Sequence, residues 1–186
     1  MSPPPASAPK PPPRLSLTEW AALGLLAEAP RHGFALAREL GRSGMIGQVW
    51  TVPRPVVYRA LASLEAAGLA RRLGAEEGER GPQRTLYLAT PAGEGAFRAW
   101  LEVPVDHLRE VRSALMLKLA FLTRRGEDPA PLLTAQAEVL MPLVGSLRAR
   151  ARSAQGFERT LGLWRLESAR SAVRFMKSLR RRPPAG

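Results

Sequence analysis

The chain has 186 residues, 45% of them hydrophobic, which is enough for one domain of ordinary size plus a smaller one, with core enough to fold without covalent staples. It contains no cysteine, which excludes disulfides, thiolate metal sites and cysteine nucleophiles, and its 28 Lys and Arg against 16 Asp and Glu give a net charge of +12. That excess, with a pI near 11.5, favours a polyanionic partner, either nucleic acid or an anionic membrane surface.

The first thirteen residues, MSPPPASAPKPPP, lack the apolar centre of a signal peptide, and no uninterrupted apolar run reaches the roughly 18 residues that a spanning helix needs. The expectation is a cytoplasmic protein with no membrane partner and a disordered Pro-rich tail over 1–14. Ser16-Leu17-Thr18-Glu19 fits a capping box, so a first helix should run to about Ala29, with Leu17, Trp20, Leu23 and Leu25 or Leu26 on its buried face. Pro30 stops it. A second helix, roughly Gly33 to Gly41, is expected to bury Phe34, Leu36 or Ala37, and Leu40, with His32 at its entry in a capping or packing role. Gly41 and Gly44 break the chain before Trp50.

The segment Trp50 to Leu69, WTVPRPVVYRALASLEAAGL, is the most informative. Val57, Ala60, Leu61 and Leu64 recur at helical spacing, while Arg59, Ala62, Ser63 and Ala66 fall on the opposite side with Tyr58 at its edge. Small residues with one arginine and a nearby phenol suit an element that enters a groove about 12 Å wide, where bulky or acidic side chains would clash with or be repelled by phosphates. Gly68 ends the helix from the C′ position. Because a residue before proline is pushed out of the helical region, Arg54 should be extended and Pro55 the first helical residue. Arg54 would then project from the positive end of the helix toward a phosphate.

LARRL and RTLYLAT are rich in β-compatible side chains, and the intervening GAEEGERGPQ carries Gly74, Gly78, Gly81 and Pro82, which predicts a hairpin with a long tip. Arg80, Gln83 and Arg84 sit at or beside that tip, where a wing would meet the DNA backbone or minor groove. Glu76, Glu77 and Glu79 lack a histidine or further carboxylate, so a metal site is not expected there. Helix, helix, recognition helix and wing within about 75 residues is the plan of a winged helix-turn-helix.

Thr90-Pro91 should cap and start another helix carrying Phe97, Trp100 and Leu101. Val103-Pro104-Val105 marks a boundary, with His107 just beyond it as a solvated linker residue. After it come a stripe of Leu108, Val111, Leu115, Met116, Leu119 and Leu122 interrupted by Lys118, a second face of Leu132, Gln136, Val139, Leu140, Leu143 and Leu147 with Pro142 as a kink, and a third of Phe157, Leu161, Trp164, Phe175 and Leu179. Three such helices in fewer than 80 residues form a dimerisation arm more readily than a second autonomous core. A homodimer would place two recognition helices about one DNA turn, or a multiple of it, apart. The fold expected is mainly α with a small β-hairpin wing: a winged-helix domain over 15–103, a helical dimerisation region over 104–180 and a basic tail over 181–186.

RHGFALAREL, GQVWTVPRPVVYRALASLEAAGL, GPQRTLYLATPAGEGAFRAWL and REVRSALMLKLAFL, in this order, resemble the second helix, recognition helix, wing with its following helix, and first dimerisation helix of the PadR-type transcriptional regulators. The resemblance implies a homodimeric repressor binding double-stranded DNA, with Tyr58 and Arg59 reading from the recognition helix and Arg84 from the wing. It departs from the family at Pro53-Arg54-Pro55, where a serine commonly precedes the proline. The resemblance also implies release by a small aromatic or amphipathic effector, with Trp100, Met116 and Trp164 as the lining, although each of these residues taken alone is better read as packing. No cofactor and no catalytic residue are expected, since the two histidines are far apart and no phosphate loop or carboxylate pair is present. The competing readings are a non-specific architectural DNA binder, whose affinity would collapse with salt and show no preferred sequence, and a module that only dimerises.

Overall fold

The computed structural model describes residues 13–76 and 84–181. The Pro-rich start, the wing-tip residues Arg80 and Gln83, and the last five residues lie outside that set. The elements are α1 (Leu17–Glu28), β1 (Arg31–His32), α2 (Gly33–Glu39), α3 (Met45–Val49), α4 (Arg54–Ala66), β2 (Ala70–Glu76), β3 (Arg84–Ala89), α5 (Pro91–Glu102), a 3-10 turn (Leu108–Glu110), a π turn (Val111–Leu115), α6 (Met116–Arg124), α7 (Ala130–Ser153) and α8 (Gly156–Arg181). The fold is mainly helical with one small antiparallel sheet, in the order β1-β3-β2.

The start signals act as the sequence implies. Ser16 and Glu19 form the capping box of α1, Thr90 accepts from the Gly93 amide at the start of α5, and Gly68 takes φ +68° after α4. α1 is covered on every side, since Trp20 through Leu26 are all buried. A helix that is apolar all round belongs at the centre of a core. α4, α5 and β3 pack against it, and at Gly24 the backbone itself is the contact surface: a Cβ there would lie 2.6 Å from the ring tips of both Phe97 and Phe121.

Several expectations are corrected. Phe34 is not in the core. It sits two residues before buried Leu36, hence on the opposite side of α2, and is 57% exposed. Arg54 is the first helical residue, with Pro53 as N-cap and Pro55 second. Proline is tolerated there because amides of the first turn have no intrahelical partner to lose. β1 and α3 carried no recognisable signal; β1 pairs Arg31 with Tyr87 and His32 with Leu86, which adds a third strand to the hairpin. β2 runs on to Glu76 through an irregularity between Arg72 and Ala75, so Gly74 lies within the strand and not in the tip.

The stripe after the boundary begins as 3-10 and π turns and becomes α-helical only at Met116. Leu115, Leu117, Phe121 and Leu122 join the same core as α1 and α5. Arg124 at the end of α6 donates Nε and Nη2 to Glu28 at 2.6 and 2.5 Å and Nη1 to Glu39 at 3.1 Å, tying α6 to the ends of α1 and α2. Lys118, which interrupts the apolar stripe, is buried: its ammonium lies 4.7 Å from the Trp100 ring centroid and donates to the Val103 carbonyl. Burial pushes it down to about 8, against the opposing pull of Glu110 and Asp106. Gln136 of α7 is also buried and both donates to and accepts from the Val105 backbone, at 2.8 and 2.7 Å. The Val103–Val105 boundary is therefore held by two polar side chains from the C-terminal half.

α7 and α8 form a long hairpin. By length and composition α7 is apolar enough to cross a membrane, even though Thr134, Gln136 and Glu138 interrupt its apolar run. Here it packs along α8 and into the main core through Leu132, Leu133 and Leu140. On α8 the buried stripe is Leu166, Ala169, Ala172, Val173 and Met176. The expected face is displaced from it: Phe157 and Trp164 are exposed, and Leu161, Phe175 and Leu179 are half-buried. Ala169 and Ala172 lie in the buried stripe and Gly162 faces Ala151 of α7, while the rings of Phe157 and Trp164 are open.

Candidate DNA-binding face

Helix α4, expected from the sequence to be the recognition helix, is anchored at its start by backbone and side-chain bonds. The Val52 amide donates to the Leu40 carbonyl at 2.9 Å, the Thr51 hydroxyl to the Gly47 carbonyl at 2.6 Å, and the Trp50 indole to the Thr18 hydroxyl at 3.1 Å. Val57, Ala60, Leu61 and Leu64 are buried against α1 and α2, as their spacing implies, and Arg54, Tyr58, Arg59, Ala62, Ser63 and Ala66 are exposed.

The two halves of that exposed face differ in charge. Ser63, in the C-terminal half, donates its hydroxyl to Glu19 Oε1 at 2.5 Å. Burial raises the Glu19 carboxyl, but hydrogen bonds from Ser16 and Ser63 outweigh it and hold the group below its ordinary value. An anion thus sits beside the second half, where a phosphate would be repelled. The first half is cationic. There the Arg54 guanidinium lies 5.4 Å from the Phe34 ring centroid and 5.7 Å from that of Tyr58, and Gly33 makes room for the phenol, since a Cβ would come within 2.7 Å of it. Arg59 is exposed one residue beyond Tyr58.

In the wing, Arg72 donates to Glu65 at 2.9 and 3.0 Å and stacks 5.9 Å from the Tyr87 centroid. The hydrogen bond and charge of Glu65 raise its pKa, and Arg71 beside it on β2 is exposed as well. Arg84 opens β3 opposite Glu76. Sequence reasoning missed Phe34 as a surface residue; a two-turn helix with apolar residues on both sides offers no period to decide by.

Trp100, Met116 and Trp164 are not brought together within one chain. Trp100 is stacked on Trp20 at 5.0 Å and beside Phe97 at 5.7 Å in the main core. Met116 is half-buried against that core. Trp164 is exposed on α8, two residues past Gly162, which faces Ala151 of α7. His32 caps α2 only through its backbone, and the His107 amide donates to Glu110 at 3.1 Å.

A helix of small and cationic exposed residues, packed on α1 and α2 and followed by the β2–β3 hairpin of a small antiparallel sheet, is the winged-helix architecture. More particularly, residues 22–99 match the model of the Transcriptional regulator PadR-like family, and this segment is similar to that family. Among solved structures the chain is similar to Bacillus subtilis PadR in complex with operator DNA, with TM-score 0.47, 21% identity, and 88% of this chain and 97% of that one covered. It is also similar to Bacillus subtilis PadR in complex with p-coumaric acid, with TM-score 0.40, 18% identity and coverage of 88% and 93%. A third is smu.1604c from Streptococcus mutans UA159, with TM-score 0.42, 11% identity and coverage of 86% and 96%. Comparison with curated proteins gives no match.

Proposed function

We propose that this protein is an intracellular, sequence-specific repressor that binds double-stranded DNA as a homodimer and is released by a small aromatic or amphipathic molecule. The observation that carries the DNA-binding reading is the division of α4: one side buried in the core, the other open, with Arg54, Tyr58 and Arg59 at its cationic end. Tyr58 and Arg59 are assigned to base edges or adjacent phosphates, and Arg54 to a phosphate. Arg80, Gln83 and Arg84 of the wing are assigned to the neighbouring backbone or minor groove. The homodimer reading is supported by the open apolar residues of the α7–α8 hairpin, Val139, Met141, Phe157, Leu163 and Trp164. Since Trp164 lies apart from Trp100 and Met116 in one chain, an effector pocket lined by all three is completed by the second chain in this reading.

The test is binding of the purified protein to its own upstream DNA against scrambled competitor, titrated over salt and footprinted. A protected inverted repeat that survives competitor is the expected result. Arg59→Ala should then lower affinity and relax base preference, with a discrimination loss of about 1–3 kcal/mol if it reads a base. Equal, salt-labile binding to both DNAs would instead establish a non-specific architectural binder, and no binding at physiological salt would leave only a dimerising module.

A further inference from the structure

We infer that Phe34 is a positioning residue of the DNA-binding face: together with Tyr58 it holds the Arg54 guanidinium extended toward a DNA phosphate without neutralising it. This rests on the DNA-binding reading above.

Phe34 is a large apolar side chain on the surface, at the first turn of α2, and its ring lies against the guanidinium of Arg54 at the start of α4. Two other arginines of the same domain are engaged differently. Arg72 is paired with Glu65, and Arg31 with Glu28. Arg54 has no carboxylate partner among the described residues; its neighbours are two aromatic rings, at 5.4 and 5.7 Å. The difference is chemical. A carboxylate fixes an arginine by consuming its N–H donors and cancelling its charge, whereas an aromatic face fixes the plane of the guanidinium and leaves the in-plane donors and the charge available.

Arg54 also stands at the first position of α4, where the helix dipole presents its positive end, and Pro53 provides no side-chain cap. A cation there is disfavoured by the free protein and favoured once an anion arrives. Aromatic clamping therefore keeps in place an arginine that the helix end would otherwise displace, and lowers the ordering cost when a phosphate binds.

The proposal is tested by a double-mutant cycle in the full-length protein, using Phe34→Leu, Arg54→Ala and both together. The probes are the upstream fragment and, at low salt, a scrambled duplex, on which a phosphate contact is measurable without an operator. Thermal unfolding of each variant is recorded alongside, and Phe34→Leu should leave it unchanged because the ring is exposed. Arg54→Ala should reduce the slope of log K against log salt by about 0.9, the loss of one phosphate contact. Phe34→Leu should weaken binding several-fold alone and not at all in the Arg54→Ala background, and Phe34→Tyr should restore wild-type binding. Additive losses from the two substitutions, or an unchanged affinity in Phe34→Leu, would overturn the proposal while leaving DNA binding intact. Absence of binding by the wild-type protein to either duplex would overturn the DNA-binding reading itself.

Discussion

α1 and α8 stand at opposite ends of one scale. Seven consecutive residues of the twelve in α1 are buried within the main core. α8 has twenty-six residues, of which five are buried, and it turns Phe157 and Trp164 outward. The contrast teaches that α1 is enclosed by a core completed by α4, α5, α6 and residues of α7 and α8, while the terminal hairpin leaves large apolar side chains open along its outer side. α6 links the two regimes: it is sequentially beyond the boundary at Val103–Val105 yet is packed on α1 and α5 and clamped by Arg124 to Glu28 and Glu39.

The comparison is sharpened first by Gly24→Ala. The new methyl would overlap the rings of Phe97 and Phe121 in a region with no slack, so a loss of about 2 kcal/mol is expected in denaturant unfolding, as for overpacked cores. A neutral result would mean that the α1 environment yields, and that the two regions differ less than they look.

The second concerns the seam between them. Lys118, held at about 8 by burial, binds fewer protons folded than unfolded between that value and the ordinary 10.5. Stability should therefore rise as pH is raised through this window and be lowest below it, where the buried ammonium stays charged in both states. Lys118→Met should abolish that rise, and a slope that persisted in this variant would assign it to another group.

The smallest effect on the folded chain is expected at the open end. Trp164→Ser removes an exposed ring, so the stability of the isolated chain should shift by no more than about 0.5 kcal/mol. The same substitution should weaken self-association measured by sedimentation, because the open face has no intrachain cover. A large loss of monomer stability would show that Trp164 packs within its own chain and would remove the basis of the contrast.

Much of the winged-helix half was legible because its signals are local. The caps at Ser16 and Thr90, the glycine at Gly68, and the sidedness of α4 each depend on residues within one or two turns, where spacing maps directly to position. The hairpin was legible from its strand-like flanks. Phe34 was not, because a seven-residue helix has too few turns to separate two apolar sides. The outward aromatics of α8 were not, because small residues such as Ala169 and Ala172 carry little hydrophobic signal although they lie in its buried stripe.

The sequence by itself determined the caps that start α1 and α5, the glycine that ends α4, the two-sided character of α4, and the absence of disulfides; these follow from backbone hydrogen-bond supply, the period of side chains and the lack of cysteine. Tertiary structure alone decided that Lys118 and Gln136 hold the boundary, that Arg124 joins three helices, and that Arg54 rests between two rings. Those pairings join residues from different elements, and which side chains meet across such distances is settled only when the apolar faces have packed.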